Sequence, residues 1–375
     1  MPNIRRMMMA TAGAGSLGPG GSLWVWGQNS QGNIGDGTTT VRLDPVQVGS
    51  LTDWTYITYG DNHCNSIKND GSLWGWGMGS NGRTGLGDTS NRSSPVQVGT
   101  GTNWDNFGSG PSWGMATQKN GTLWAWGMNT NGQLGLGTTT DMSSPSQVGS
   151  LTNWATVGGG NAHAVTVKTD GTLWTWGEAG DGRLGDGTTT DKSSPVQIGS
   201  LTNWSNANGG DASSIAVKTD GTLWTWGQGS AGRLGHGNTT SLSSPVQVGG
   251  LTTWAQADAG EVHGAAIKTD GTLWTWGGNY DGESGHNNST ATSSPVQVGS
   301  LTNWAKLSCM KNGVIALKTD GTIWAWGKNN GGRLGDGTTT TRSSPVQLGS
   351  STDWSYLTNI GGYNGVNGGA IKLVE

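Results

Sequence analysis

The sequence predicts an all-β fold, a seven-bladed β-propeller of four-stranded antiparallel blades, and three observations carry that expectation. The first is the stretch Gly171-Thr172-Leu173-Trp174-Thr175-Trp176-Gly177. It recurs seven times with small changes, its leading glycine at Gly21, Gly71, Gly121, Gly171, Gly221, Gly271 and Gly321, always 50 residues apart. A fixed period of this length marks a repeat architecture, in which each unit buries its apolar face against its neighbours. The second is that each period holds four short alternating segments separated by turn residues, the rhythm of a propeller blade. The third is tryptophan: the chain has 22 Trp against one Phe, and they recur at fixed repeat positions.

Residues 163–208 illustrate the elements. His163 to Thr169 alternates, with Val165 and Val167 on one side, and reads as strand A. Asp170-Gly171 follows, a two-residue hairpin signal because a type I′ turn needs positive φ at both central positions. Residues 172–177 form strand B, with Trp174 and Trp176 on one side and Leu173 and Thr175 on the other. A long Gly/Thr/Ser loop ends at Pro195 and strand C (195–198). A turn at Gly199–Asn203 leads into strand D (204–208), opened by Trp204. The chain enters at strand B, Ser22–Gly27, and Gly369–Val374 supplies a strand A. The expected closure is therefore one plus three: A of the first blade from the C-terminal end, and B, C and D from the N-terminal end. Residues 21–375 form the propeller. Residues 1–20 lie outside the repeat and read as a flexible attachment arm; the apolar run after Arg5-Arg6 is too short for a secretory leader.

Composition narrows the function. Apolar residues make up only 32% and Gly numbers 70, so Trp must do the work of a core. Each buries about 150–250 Å², roughly 4–6 kcal/mol of gross transfer free energy as an upper bound. A net charge of −4 argues against nonspecific nucleic-acid binding, which needs a basic surface. Cys64 and Cys309 suggest neither a disulfide framework nor a four-ligand zinc site, and no apolar run reaches the length of a membrane span.

Leu-Trp-x-Trp-Gly, then Gly-Arg-Leu-Gly-x-Gly-Thr-Thr, then Ser-Pro-Val-Gln-Val, then Gly-x-x-His before Val-Lys-Thr-Asp-Gly together resemble the regulator of chromosome condensation repeat across residues 21–375. The resemblance implies a seven-bladed propeller with strand A innermost and a structural histidine in that strand, here His63, His163 and His263. It leaves function open, since the family spans nucleotide exchange, light sensing and enzyme inhibition. The Gly-Trp-Arg-His-Thr run of the photoreceptor branch has no match in Gly60-Asp-Asn-His-Cys64, Gly110-Pro-Ser-Trp-Gly114 or Gly160-Asn-Ala-His-Ala164. The unbroken spacing leaves no room for the inserted wedge of the nucleotide-exchange branch. The opening residues 1–9 resemble those of many virion proteins of marine phages.

No nucleophile, base and orienting group can be assembled from the sequence, so the expectation is a non-enzyme without cofactor or metal. Asp281, Glu283 and His286 make a small acidic cluster whose order matches no calcium loop. Lys68, Lys168, Lys218, Lys268, Lys318 and Lys372 end strand A in six copies, with Gln118 the exception. They read as solvated lysines beside the turn aspartate, or, with strand A innermost, as a ring at one mouth of the axis.

Because strands alternate direction, the B–C and D–A loops share one face, and the copies differ there. Binding loops on a rigid scaffold are expected to vary in this way. The candidate partner-binding residues are Asp61, Phe107, Trp113, Glu178, Asp181, Asp211, Glu261, Tyr280, Asp281, Glu283, Lys311, Lys328 and Tyr363. The reading is a binding scaffold for a protein or a surface glycan, in the setting of a phage or microbial appendage such as a tail fibre engaged in host recognition. A protein-capping inhibitor is the alternative and guanine-nucleotide exchange a third.

Overall fold

The computed structural model describes residues 20–357 and 367–373; the arm over residues 1–19 and Tyr363 lie outside them. Four antiparallel strands recur at the expected interval. In one blade they are Trp204–Gly209 (strand D), Ser213–Lys218 (A), Leu223–Gly227 (B) and Leu242–Gln247 (C), side by side in the order D–A–B–C. Five such sheets, and an eight-stranded sheet in which two blades are joined through Gly21 and Trp54, make seven blades.

The ring closes two plus two, which corrects the one-plus-three expectation. Strand D ladders with the strand A that follows it across a short turn, so D begins the next blade and does not complete its own repeat. The first blade therefore takes Trp354–Leu357 (D) and Asn367–Leu373 (A) from the C-terminal end, and Gly21–Gly27 (B) and Arg42–Gln47 (C) from the N-terminal end. The clasp runs in continuous register from Gly21 opposite Leu373 to Gly27 opposite Asn367.

Local chemistry explains each strand. At the A–B turn Gly171 has φ +76, and the Asp170 carboxylate accepts from the Thr172 amide (3.0 Å) and hydroxyl (2.6 Å). Strand C begins earlier than expected, at Lys192. It is the outer strand, and Pro195 is tolerated there because an edge strand has an unpaired side. Strand D is innermost, not strand A: successive D strands touch around the axis through contacts such as Gln256 Nε2 to Leu307 O (2.8 Å) and Asn208 Nδ2 to Asp258 Oδ1 (2.7 Å).

Blade joins blade through tryptophan. The second Trp of strand B is fully or almost fully buried in the six copies Trp26, Trp76, Trp126, Trp176, Trp226 and Trp326, and likewise in Trp276. Its indole N–H donates to a backbone carbonyl of the preceding blade's B–C loop: Trp226 to Arg183 O (2.9 Å), Trp276 to Arg233 O (2.9 Å), and so on to Trp26, which reaches Arg333 O (3.1 Å) and closes the circle. Close approach is possible because the loop carries glycine there; a Cβ at Gly185 would lie 2.7 Å from the Trp226 Nε1.

The strand-A lysines are neither solvated nor at the axis. Lys168 Nζ sits 3.6 Å from the Trp174 ring centroid and 4.6 Å from that of Trp154, and Lys68, Lys218, Lys268, Lys318 and Lys372 are held between the matching Trp pairs. An ammonium over a Trp face is attracted by the ring quadrupole. The alkyl stem packs on the same surface. Burial pulls the ammonium pKa of Lys168, Lys218, Lys268 and Lys318 down, opposed by the turn aspartates.

Three outcomes follow from this packing. Deleting residues 367–375 opens the clasp and should lower Tm sharply or abolish cooperative unfolding in a thermal melt. Trp276→Phe strands the buried Arg233 carbonyl and should cost about 1–3 kcal/mol in urea unfolding, more than the same change at Trp274. Lys168→Met keeps the stem and loses the charge; the stability loss should be about 0.5–2 kcal/mol, and Gln118→Lys should recover a comparable amount in its own blade.

Candidate functional site

The variable face is built from two rings of loops that touch. The D–A turns are bonded backbone to backbone around the axis: Asp61 N to Pro111 O (3.0 Å), Asn161 N to Gly210 O (3.1 Å), Asp211 N to Gly260 O (3.3 Å) and Glu261 N to Lys311 O (3.0 Å). The B–C loops lean onto the next blade's turn through arginine. Arg83, Arg183 and Arg233 donate through Nη1 to Pro111 O (3.4 Å), Asp211 O (3.4 Å) and Glu261 O (2.8 Å). Both loop sets therefore share a face, held as one frame.

The arginines were not among the sequence candidates, although Gly-Arg-Leu-Gly recurs. They are buried, and burial lowers the pKa of Arg83, Arg233 and Arg333. Arg183 pairs with Glu178 at 2.8 Å and with Asp181 at 3.9 Å. Around the rim, Asn161 donates to Asp211 (2.8 Å) and Asn312 to Glu261 (2.7 Å). Burial raises the pKa of Asp61, opposed by the positive charges of Lys311, Arg83 and Arg333 and reinforced by the negative charge of Glu261, so side chains from separate blades share one electrostatic environment. Lys328 pairs with Asp281 at 3.3 Å.

The structure divides the candidates. Asp61, Glu178, Asp211, Glu261, Asp281, Lys311 and Lys328 are half-buried on this face, Asp181 is exposed, and Tyr280 is the most open aromatic among the described residues, 71% exposed. Phe107 and Trp113 are corrections: both are fully buried and unavailable to a partner. Phe107 occupies the strand-D column held by Ile57 and Leu307 and packs 5.4 Å from Trp126. Trp113 fills the histidine slot, its indole donating to Asn161 O (3.0 Å). Comparing copies column by column would have marked both as core. Glu283 is also fully buried. Its Oε2 accepts from the Asp281 amide (2.8 Å), its Oε1 has no partner among the described residues, and burial raises its pKa.

His63, His163 and His263 are buried strand-A residues. His163 Nε2 meets Ser214 Oγ at 2.9 Å and His263 Nε2 lies 3.2 Å from Gly313 O. Burial holds their pKa values at about 3 and about 4, so the rings are neutral. Among the described residues no three His, Cys, Asp or Glu side chains could hold a metal ion, and no helix is long and apolar enough to cross a membrane.

Beneath the rim the inner strands share one wholly buried carboxylate. Asp258 accepts from Asn208 Nδ2, Ser308 Oγ and the amides of Cys309 and Ala259. Burial nevertheless pushes its pKa up to about 7 against these donors. A carboxyl raised above its ordinary value of about 3.9 binds its proton more tightly folded than unfolded. Its contribution is therefore full at low pH and is lost as pH rises through about 7. Wild-type Tm should fall relative to that of Asp258→Asn between about pH 5 and 8, a difference differential scanning calorimetry reads directly.

The RCC1-like domain family matches residues 14–260, and the regulator of chromosome condensation (RCC1) repeat matches residues 254–283 and 320–356. No curated protein matches the chain in sequence. Among solved structures it is similar to Prp20p from Saccharomyces cerevisiae, reported with its binding to Gsp1p and histones (17% identity, 100% of this chain, 96% of that chain, TM-score 0.83). It is also similar to yeast RCC1 (Prp20) bound by Kap60 (17%, 99% and 92%, 0.83) and to human WBSCR16 (18%, 94% and 98%, 0.81). At such identity the likeness establishes a shared fold.

Proposed function

Given that this chain belongs to the RCC1-like domain family, we propose that it is a non-enzymatic binding scaffold that docks a partner on the face formed by its B–C and D–A loops. The observation that carries the reading is the contrast between the two faces. The A–B and C–D turns repeat almost unchanged. The opposite loops keep one backbone frame and vary their side chains, as a recognition surface requires. Tyr280, Asp181 and Lys311 are the anchors. Tyr280 is an exposed aromatic, the residue type enriched at interface centres, and half-buried charges stand elsewhere on the same face as a polar rim would.

Protein partners have support among proteins of like fold: yeast Prp20p is described as binding Gsp1p and histones, and Kap60 is seen bound to yeast RCC1. A partner that caps or regulates another protein fits the same frame. Recognition of a surface glycan or protein from a phage or microbial appendage fits it too, since an open ring at Tyr280 suits a sugar as well as a peptide.

The test compares wild-type bait with two variants, in a pull-down from a host lysate and on arrayed glycans. Tyr280→Ala with Lys311→Ala should lower binding about tenfold or more, as loss of a central anchor does, with Tm unchanged. Leu151→Ser with Leu201→Ser, on the uniform face, should leave binding intact. Loss in the second variant alone would sink the reading.

A further inference from the structure

One B–C loop differs from the other six at several columns. In the loop over residues 278–290, Ser284 stands where Ile34, Leu134, Leu184, Leu234 and Leu334 are buried in other copies. Asn287 takes φ +58 where the other six copies carry glycine, at Gly37, Gly87, Gly137, Gly187, Gly237 and Gly337. Glu283 replaces arginine or a neutral amide and buries a carboxyl oxygen without a partner. A smaller apolar contact, a left-handed non-glycine residue and an unpaired polar atom each lower stability. The frame is unchanged: Trp326 still donates to Glu283 O (2.9 Å), and Asn287 N bonds Ser343 O (2.7 Å) on the next blade. The loop over residues 78–90 carries comparable departures at Asn81 (φ +59) and buried Thr84, so what sets the loop over residues 278–290 apart is what its residues build.

The departures also build something. Gly278 takes the place of Gln28, Met78, Met128, Glu178, Gln228 and Lys328 in the other copies. A Cβ there would lie 2.7 Å from Val262 Cγ2 and 3.2 Å from Tyr280 Cε2. The missing side chain lets the Tyr280 ring lie across the glycine beside Val262 while most of the ring faces solvent. Next to it is a shallow depression of about 320 Å³ between this loop and the edge of the next blade, lined by Tyr280, Asp281, Asn288, Ser289, Thr341 and Ser343.

We propose that this depression is a saccharide-binding subsite, with Tyr280 as the stacking platform. The inference rests on the reading that this face is the binding face, and adds the ligand class. The lining selects it. Asp281 is balanced by Lys328 at 3.3 Å, so the wall carries no surplus charge to demand an ion. Its one large apolar surface is a single ring, which suits the C–H face of a sugar better than an aliphatic side chain needing an enclosed pocket. Ser289, Thr341 and Ser343 supply hydroxyls, while the Asn288 amide is held within the loop by Asn279, Thr290 and His286; a polyhydroxylated ring meets the apolar and the hydroxyl surface at once.

The experiment is saturation-transfer NMR on the full chain with a panel of neutral hexose and N-acetylhexosamine tri- and tetrasaccharides. At least one probe should receive saturation on its ring C–H protons. Tyr280→Ala should weaken it about tenfold or more, and Gly278→Gln, which displaces the ring, should weaken it severalfold. Tyr280→Phe should retain stacking. No probe binding, or binding indifferent to Tyr280→Ala with the fold intact, overturns the subsite. If no saccharide binds while protein capture still depends on Tyr280 and Lys311, the saccharide inference falls and the binding face stands. If saccharide binding survives every variant of this face, both fall.

Discussion

The whole ring hangs on a hydrogen bond made once per blade, from a buried indole N–H to a loop carbonyl of the blade before. It fixes the distance between blades and, in the same stroke, the position of the loop that supplies the carbonyl. At Arg83, Arg183 and Arg233 the residue whose carbonyl accepts the Trp proton also sends its guanidinium to the neighbouring D–A turn. Backbone and side chain of a single residue thus tie the core to the recognition face. This separation leaves the side chain at that column free to vary, as Asn33, Gln133 and Glu283 do, while the carbonyl keeps its place.

A second constraint operates at the opposite end of six blades, where a lysine ammonium is clamped between two indoles; Gln118 takes that place in the seventh. The two Trp rings meet edge to face, Trp154 and Trp174 at 6.0 Å and 74°, and the cation fills the angle they leave. The uniform face fits this packing: substitutions there disturb a clamped charge, whereas the exposed positions of the B–C loops, such as Tyr280 and Asp181, can change without touching the core.

The period, the strands and the shared face of the variable loops were legible because they depend on spacing and alternation alone. What a repeat lacks is phase. Its period cannot say whether Trp204 ends one blade or begins the next, and so the order D–A–B–C and the two-plus-two closure became visible only through strand pairing. The lysine clamp was hidden for a related reason, since Trp154 and Trp174 lie 20 residues apart and Lys168 falls between them in sequence with no local sign of contact. Trp113 and Phe107 mislead for a different reason: an aromatic without sevenfold recurrence reads as surface, although its column in the other copies is that of a core residue. Tyr280 kept its place because its column is otherwise Ser30, Ser80, Thr130, Gly180, Ser230 and Asn330, where no buried contact is at stake.

The clasp between residues 21–27 and 367–373 has a bearing on how the molecule is made. Its partners are separated by almost the entire chain. Closing so long a loop adds little at equilibrium, since each doubling of length costs only about 0.6 kcal/mol, but contacts of this range form late. Through synthesis and early folding the strand at 21–27 stands as an open edge, able to pair with another chain. The closed ring therefore has a kinetic vulnerability that its equilibrium packing does not reveal. Moving the chain ends to an A–B turn elsewhere in the circle, with a linker across the old ones, would turn the clasp into an ordinary hairpin and shift the late step to another blade.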